Sequence, residues 1–313
     1  LAVATSPAFE ADEVAFAVTN GGLHRSTNGG RAWRAVDRGL DSEAIQAIAF
    51  SPAFADDGVV LAASEDLGIF RSSDRGGSWK EASNGLGNRS INAVWFSSGY
   101  AADRTIYAGS AGNGVYRSTD GGASWYAVGG DGIETTAVMS LVSDTTGATV
   151  IAGSHQGGLW RSTDHGATWG RASEGVAARS MSVIAVSPAF ADDQTLYAAG
   201  VEDGVLRSRD AGLTWEAVSG VLPGSQVLSL SLAPDHATSG TLHTVLAEGM
   251  YRSDDRGDSW HPVIIEGDAP RIASYASNTD GDRIGLAVAF ATSIAVSVDG
   301  GRSWRSIASM TSA

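Results

Sequence analysis

The chain alternates short apolar runs with polar punctuation. Residues 181 to 219 show the pattern: MSVIAVS, the loop PAFADDQ, TLYAAG, a short VED, GVLRS, a polar turn, then TWEAVS. Four runs rich in Val, Ile, Leu, Tyr and Ala, separated by Gly, Asp and Pro, predict four antiparallel strands with tight connections. No segment carries a 3.6-residue apolar period, so no helix is expected. The same layout recurs along the whole chain.

The polar turn is the marker of the repeat. It reads Ser-x-Asp-x-Gly-x-x-Trp and begins at Ser26, Ser72, Ser118, Ser162, Ser208, Ser253 and Ser297. The tryptophans are Trp33, Trp79, Trp125, Trp169, Trp215, Trp260 and Trp304, so successive gaps are 46, 46, 44, 46, 45 and 44 residues. The acidic position holds Asp74, Asp120, Asp164, Asp210, Asp255 and Asp299, with Asn28 in the first copy. A motif repeated at this period belongs to the architecture, because an active site is needed only once.

Four-stranded units at this spacing predict an all-β, seven-bladed β-propeller. The turn motif lies in the hairpin between strands three and four of each blade. The blades fall at about 1–40, 41–86, 87–132, 133–176, 177–222, 223–267 and 268–313, in a single domain of 313 residues. Each blade is contiguous in sequence, so closure is expected from packing of the first blade on the last. The last repeat has Val296 where the others have Arg25, Arg71, Arg117, Arg161, Arg207 and Arg252, as terminal repeats often differ.

The residue types of the motif suit a tight turn. The Asp accepts backbone N–H groups, the glycines allow positive φ, and the Ser pairs with the Asp. The tryptophan then opens the outer strand and buries about 150–250 Å². These are structural roles, and the preceding arginines are read as packing over rings or pairing with carboxylates.

The motif resembles the Asp-box, or BNR, repeat of sialidases, xyloglucanases, sortilin-type receptors and photosystem II stability/assembly factors. One box in each of seven consecutive units is most similar in layout to the assembly factors. Sialidases usually have six blades with fewer boxes, and xyloglucanases place two propellers across a cleft. The resemblance implies a scaffold shared by several chemistries. It also implies that ligands meet the face opposite the boxes, made by the two-to-three loops and the blade-linking loops.

Charge and composition narrow the partners. A net charge of -14 argues against nucleic acid and against an anionic membrane surface. There is no cysteine, and Lys80 is the single lysine among 21 basic residues. No apolar run reaches the length of a membrane helix. The chain starts at Leu1, consistent with a removed leader and an extracellular or periplasmic location.

Candidate chemistry on the loop face is sparse. Arg89 and Arg179 stand just before equivalent innermost strands, and Arg271 is near the same position in the last unit. Either the three converge to hold a carboxylate or phosphate, or each pairs with a local acid among Glu43, Glu134, Glu174 and Asp268. His155 is the one histidine on that face, and Tyr275 the one tyrosine on a predicted innermost strand. Sialidases use an arginine triad with a tyrosine nucleophile, but their Phe/Tyr-Arg-Ile-Pro motif is absent here, and PRIAS does not match it. Carboxylate pairs stand at Glu65/Asp66, Asp131/Glu134 and Glu202/Asp203. The SPAFADD segments at Ser51 and Ser187, with SPAFEAD at Ser6, suggest calcium only weakly, and the Asp-rich turn is the simpler reading.

These features predict a monomeric, non-enzymatic binding or assembly scaffold without cofactor or metal. It would recognise a protein or glycan partner. The alternatives are a glycoside hydrolase of divergent sialidase type and a carbohydrate-binding propeller.

Overall fold

The computed structural model describes residues 2–19, 22–36, 38–40, 44–174, 176, 179–218, 220, 222–224, 226–265, 272–276, 285–289, 293–297, 299 and 302–309. It forms two compact units, Leu1–Arg171 and Ala172–Ala313. The first holds four-stranded antiparallel sheets at 2–35, 45–81, 91–128 and 137–171, here blades 1 to 4. The second holds blades 5 and 6 at 181–217 and 227–263, and a further four-strand ladder at 272–309.

Blade 2 shows the construction. Its strands are Ile45–Phe50, Val60–Ser64, Ile69–Ser72 and Lys80–Glu81, hydrogen-bonded in that order. The second strand is buried at every residue, and the period of two explains how. Leu61 and Ala63 pack with Ile91, Val94, Ile106 and Trp125 of blade 3, whereas Val60 and Ala62 pack with Val14, Phe16 and Val18 of blade 1. The core therefore lies between neighbouring blades. A strand buried on both faces reads as a continuous apolar run such as VLAAS, IYAGS or LYAAG.

The expectation of seven like blades is corrected. Six blades of four antiparallel strands are described with their side-chain packing. The ladder at 272–309 enters as paired backbone, with few inward side chains described, Val288 and Trp304 among them. A sequence period counts turns, whereas a blade is established by packing on both of its faces.

The expectation of no helix is also corrected. Single α-turns lie at Phe9–Asp12, Phe54–Asp57, Tyr100–Asp103, Phe190–Asp193 and His236–Ser239, between strands one and two. One turn is too short to show a period. Its first residue is an aromatic or His, buried at Phe54, Tyr100, Phe190 and His236, and a left-handed residue ends it.

Candidate functional site

The boxes form one repeated hydrogen-bond design. In blade 2, Ser72 Oγ donates to Asp74 Oδ1 at 2.7 Å and accepts from Gly76 N at 2.8 Å. Asp74 also accepts from Ser78 N at 2.9 Å and from Ser78 Oγ at 2.6 Å. The same bonds recur at Asp120, Asp164, Asp210, Asp255 and Asp299, with Ser124, Thr168, Thr214, Ser259 and Ser303 as the hydroxyl donors. Partial burial works against ionisation of Asp74 and Asp164, but these bonds outweigh it and hold both carboxyls at about 2.

The first box departs in two linked positions. Asn28 takes the place of Asp, and Ala32 takes the place of the hydroxyl. Asn28 Oδ1 accepts from Ser26 Oγ at 3.0 Å and from Ala32 N at 2.8 Å, so the turn is kept without the charge.

Each tryptophan precedes its outer strand, and the buried ones join two blades. Trp79, Trp125, Trp169, Trp215 and Trp260 are buried, and Trp33 and Trp304 are half-buried. Trp125 Nε1 donates to Ala82 O of blade 2 at 2.8 Å, and Trp260 Nε1 donates to Val218 O at 2.7 Å. The backbones of Trp79, Trp125 and Trp215 donate to Arg38 O, Asn84 O and Glu174 O. The start of each of these blade-linking loops is thus held at the next blade's tryptophan, which takes it out of the expected binding face.

On the opposite edge the two-to-three turns are fastened at both ends. Blade 2's turn donates from Glu65 N to Ala44 O and from Gly68 N to Arg89 O. Blade 3's turn donates from Ala111 N to Ser90 O and from Gly114 N to Thr136 O. Asn88 Nδ2 adds a bond to Asn113 Oδ1 at 3.0 Å. The result is a shallow, pre-ordered edge.

Several carboxylates of this edge are engaged. Glu65 accepts from Gln46 Nε2 at 3.0 Å, and Asp66 accepts from Ser64 Oγ at 2.7 Å. Glu134, exposed on the short 3-10 turn Ile133–Thr135, accepts from Gly130 N at 3.3 Å. The clustered aspartates of SPAFADD are engaged too. Asp57 accepts from Ser51 Oγ at 2.7 Å and from Val59 N at 2.8 Å, and Asp193 repeats this with Ser187 Oγ and Thr195 N. Among the described residues no group of three His, Cys, Asp or Glu is placed to hold a metal ion.

The arginines are held locally. Arg89 Nη1 lies 2.6 Å from Glu81 on the outer strand of its neighbouring blade and donates to Leu67 O at 3.3 Å. Arg179 pairs with Glu202 at 3.4 Å, while its backbone N–H donates to Asp203 at 2.7 Å. Both partners are local acids, though not the four expected from sequence. Arg89 belongs to the first compact unit and Arg179 to the second. Arg271, Glu43 and Asp268 lie outside the described residues, as does the side chain of Tyr275, whose backbone pairs with Leu286. His155 is exposed at the end of the strand Val150–His155.

Comparison with known proteins supports the architecture. The BNR-Asp box repeat family model matches residues 69–82, the third strand, box and outer strand of blade 2. No curated protein sequence matches the chain. An ancestral GH74 enzyme is similar in structure with a TM-score of 0.78 and 22% identity, over 97% of this chain and 45% of its own. The GH74 xyloglucanase from Xanthomonas campestris has a TM-score of 0.64 and 18% identity, over 88% of this chain and 47% of its own. YCF48 bound to a D1 peptide has a TM-score of 0.63 and 17% identity, over 84% of this chain and 82% of its own. This chain spans about half the length of the two GH74 enzymes. At such identities the likeness is one of fold. The chain is thus similar in fold to these β-propellers and carries a BNR-Asp box repeat at residues 69–82, with boxes of the same geometry on its other sheets.

Proposed function

We propose that the protein is a non-enzymatic binding or assembly scaffold that recognises an extended segment of a protein partner at the edge opposite its boxes. The observation that carries this reading is the state of that edge. Its turns are fastened by backbone hydrogen bonds at both ends, and the carboxylates Glu65, Asp66, Glu134 and Glu202 are tied to neighbours. A pre-ordered, shallow surface gives up little conformational entropy when an extended chain lies on it. General acid–base catalysis instead needs a carboxyl group free to exchange its proton with substrate. The likeness to a peptide-bound YCF48, over most of both chains, supports the same reading.

Photo-crosslinking tests it. A photoreactive side chain at exposed Asn113, on the loop edge, is expected to capture partner peptides from a displayed library. The same probe at exposed Thr119, on the box edge, is expected to leave them uncaptured. A panel of fluorogenic glycosides, sialosides included, should show no turnover above blank. Capture from Thr119 alone, or turnover that survives repurification, would overturn the proposal.

A further inference from the structure

Strand register sets one residue of each third strand directly opposite one residue of the outer strand. In blade 5 Arg207 faces Glu216. Its side chain is only 4% exposed, and its guanidinium lies 2.8 Å from Glu216 and 2.9 Å from Asp258. It also donates to Arg256 O at 2.7 Å. In blade 6 Arg252 is held by Asp254 at 2.6 Å. In these blades the cation, buried at Arg207 and half-buried at Arg252, meets a carboxylate.

Blades 1 and 2 differ from this: Arg25 faces Arg34 and Arg71 faces Lys80, and like charges directly opposite each other destabilise a sheet. In blade 1 both arginines line a groove of about 350 Å³ between the outer strand of blade 1 and the box of blade 2, and Arg38 of the following linker joins them. The blade's own box supplies Asn28 there in place of an aspartate. Because Asn28 Oδ1 accepts from Ser26 and Ala32, its amide N–H₂ is left as a donor, which Asp could not be. Among the described residues, no carboxylate lines the groove or forms an ion pair with any of its three guanidiniums.

Arg25 Nε is buried without a hydrogen-bond partner, as are the equivalent atoms of Arg71 and Arg117. Burial works against the Arg25 charge, and Arg75 adds to that effect. Asp74 is the opposing acid, but it already accepts from Ser72 and Ser78. The matching groove between blades 2 and 3 also gathers three cations, Arg71, Lys80 and Arg89. There, however, Glu81 and Asp120 share the lining. Among the described lining residues, the first groove has cations without a carboxylate and the second has both, in a chain whose net charge is -14.

We infer that the groove at the outer edge of blade 1 binds an oxyanion of the phosphate or sulfate class, held by Arg25, Arg34 and Arg38 with the Asn28 amide as a further donor. Guanidiniums present paired N–H groups that match tetrahedral oxyanions bidentately. Such a ligand supplies the negative charge that Glu216 and Asp258 supply in blade 5. The site is independent of partner recognition, which concerns the opposite edge.

Isothermal titration with inorganic phosphate and, separately, sodium sulfate, at ionic strength fixed with chloride, tests the inference. The full chain should show saturable one-site binding of either anion. Arg34→Glu sets a carboxylate opposite Arg25, as Glu216 stands opposite Arg207, and should weaken binding at least about tenfold. Arg38→Ala should weaken it severalfold without altering the sheet register. Lys80→Glu makes the same charge change in the neighbouring groove and should bind as the unmodified chain does. Two results would overturn the site: no binding at constant ionic strength, or equal losses in Lys80→Glu and Arg34→Glu. Thermal melting of each variant in chloride alone separates a lost site from a lost fold, and exposed Arg38 carries the test if Arg34→Glu misfolds.

Discussion

Trp125→Ala is the sharpest test of how the blades are joined. Trp125 is 3% exposed and packs with Leu61 and Ile69 of blade 2 as well as Ile91 and Ile106 of its own blade. Emptying a tryptophan site in a core costs about 3–5 kcal/mol, through lost transfer energy and the residual cavity. The substitution also removes the indole N–H that Ala82 O accepts at 2.8 Å, which places the loss at the upper end of that range. A pair of milder substitutions isolates the bond. Trp79 is equally buried, but its Nε1 has no partner, so Trp79→Phe removes ring area alone. Trp125→Phe should cost about 1 kcal/mol more than Trp79→Phe. Urea unfolding followed by far-UV circular dichroism avoids the lost tryptophan fluorescence and gives each difference from the midpoint at a common slope. A loss below about 1.5 kcal/mol for Trp125→Ala would refute the packing argument. Equal costs for the two phenylalanine variants would refute the hydrogen-bond argument.

The remaining predictions concern the turns. Gly85 has φ +88, and a Cβ there would lie 2.1 Å from Trp125 O, so Gly85→Ala should cost more than about 3 kcal/mol or abolish folding. Gly22 has a similar φ of +92 with open space around it, so Gly22→Ala should cost only about 1 kcal/mol, and equal melting temperatures would refute the distinction. The box aspartates are ionised more readily in the fold than in the unfolded chain, where the carboxyl pKa is about 3.9. Their stabilisation is therefore complete above about pH 4 and is lost as pH falls toward 2, the folded value at Asp74 and Asp164. Melting temperatures between pH 7 and pH 2 should fall in that window, and Asp74→Asn should remove one box's share of the fall. Asn28→Asp combined with Ala32→Ser should complete the first box, raise the melting temperature, and weaken phosphate binding by bringing a carboxylate to the arginine groove; unchanged phosphate binding would refute the groove's charge argument.

Much of this fold was legible because the repeat writes each rule several times. The apolar runs marked the strands, and Ser, Asp and Gly at fixed offsets marked the box turn. Two further regularities carry a signal in the sequence. The hydroxyl one residue before each tryptophan, absent only beside Asn28, is the second donor to the box carboxylate. The Ser-to-Asp spacing of six, at Ser6/Asp12, Ser51/Asp57, Ser97/Asp103 and Ser187/Asp193, closes the single α-turn of the one-to-two loop. In the sequence it shows as an Asp-rich turn and not as a helix, because one helical turn leaves no period.

Sequence alone determined the strands, their order within each blade and the chemistry of the boxes, since hairpin pairing and turn hydrogen bonds join residues close together in the chain. Only the tertiary structure decided which partner each long side chain found. Arg89 and Arg179 were visible as candidates, but a flexible arginine reaches several acids, and the fold gave Arg89 to Glu81 and Arg179 to Glu202. The facing of Arg25 by Arg34, and the meeting of that pair with Arg38 and a neighbouring blade's box, was likewise decided by packing. Local rules set a strand's register with its hairpin partner, but which blades and linkers pack around it depends on contacts far apart in sequence.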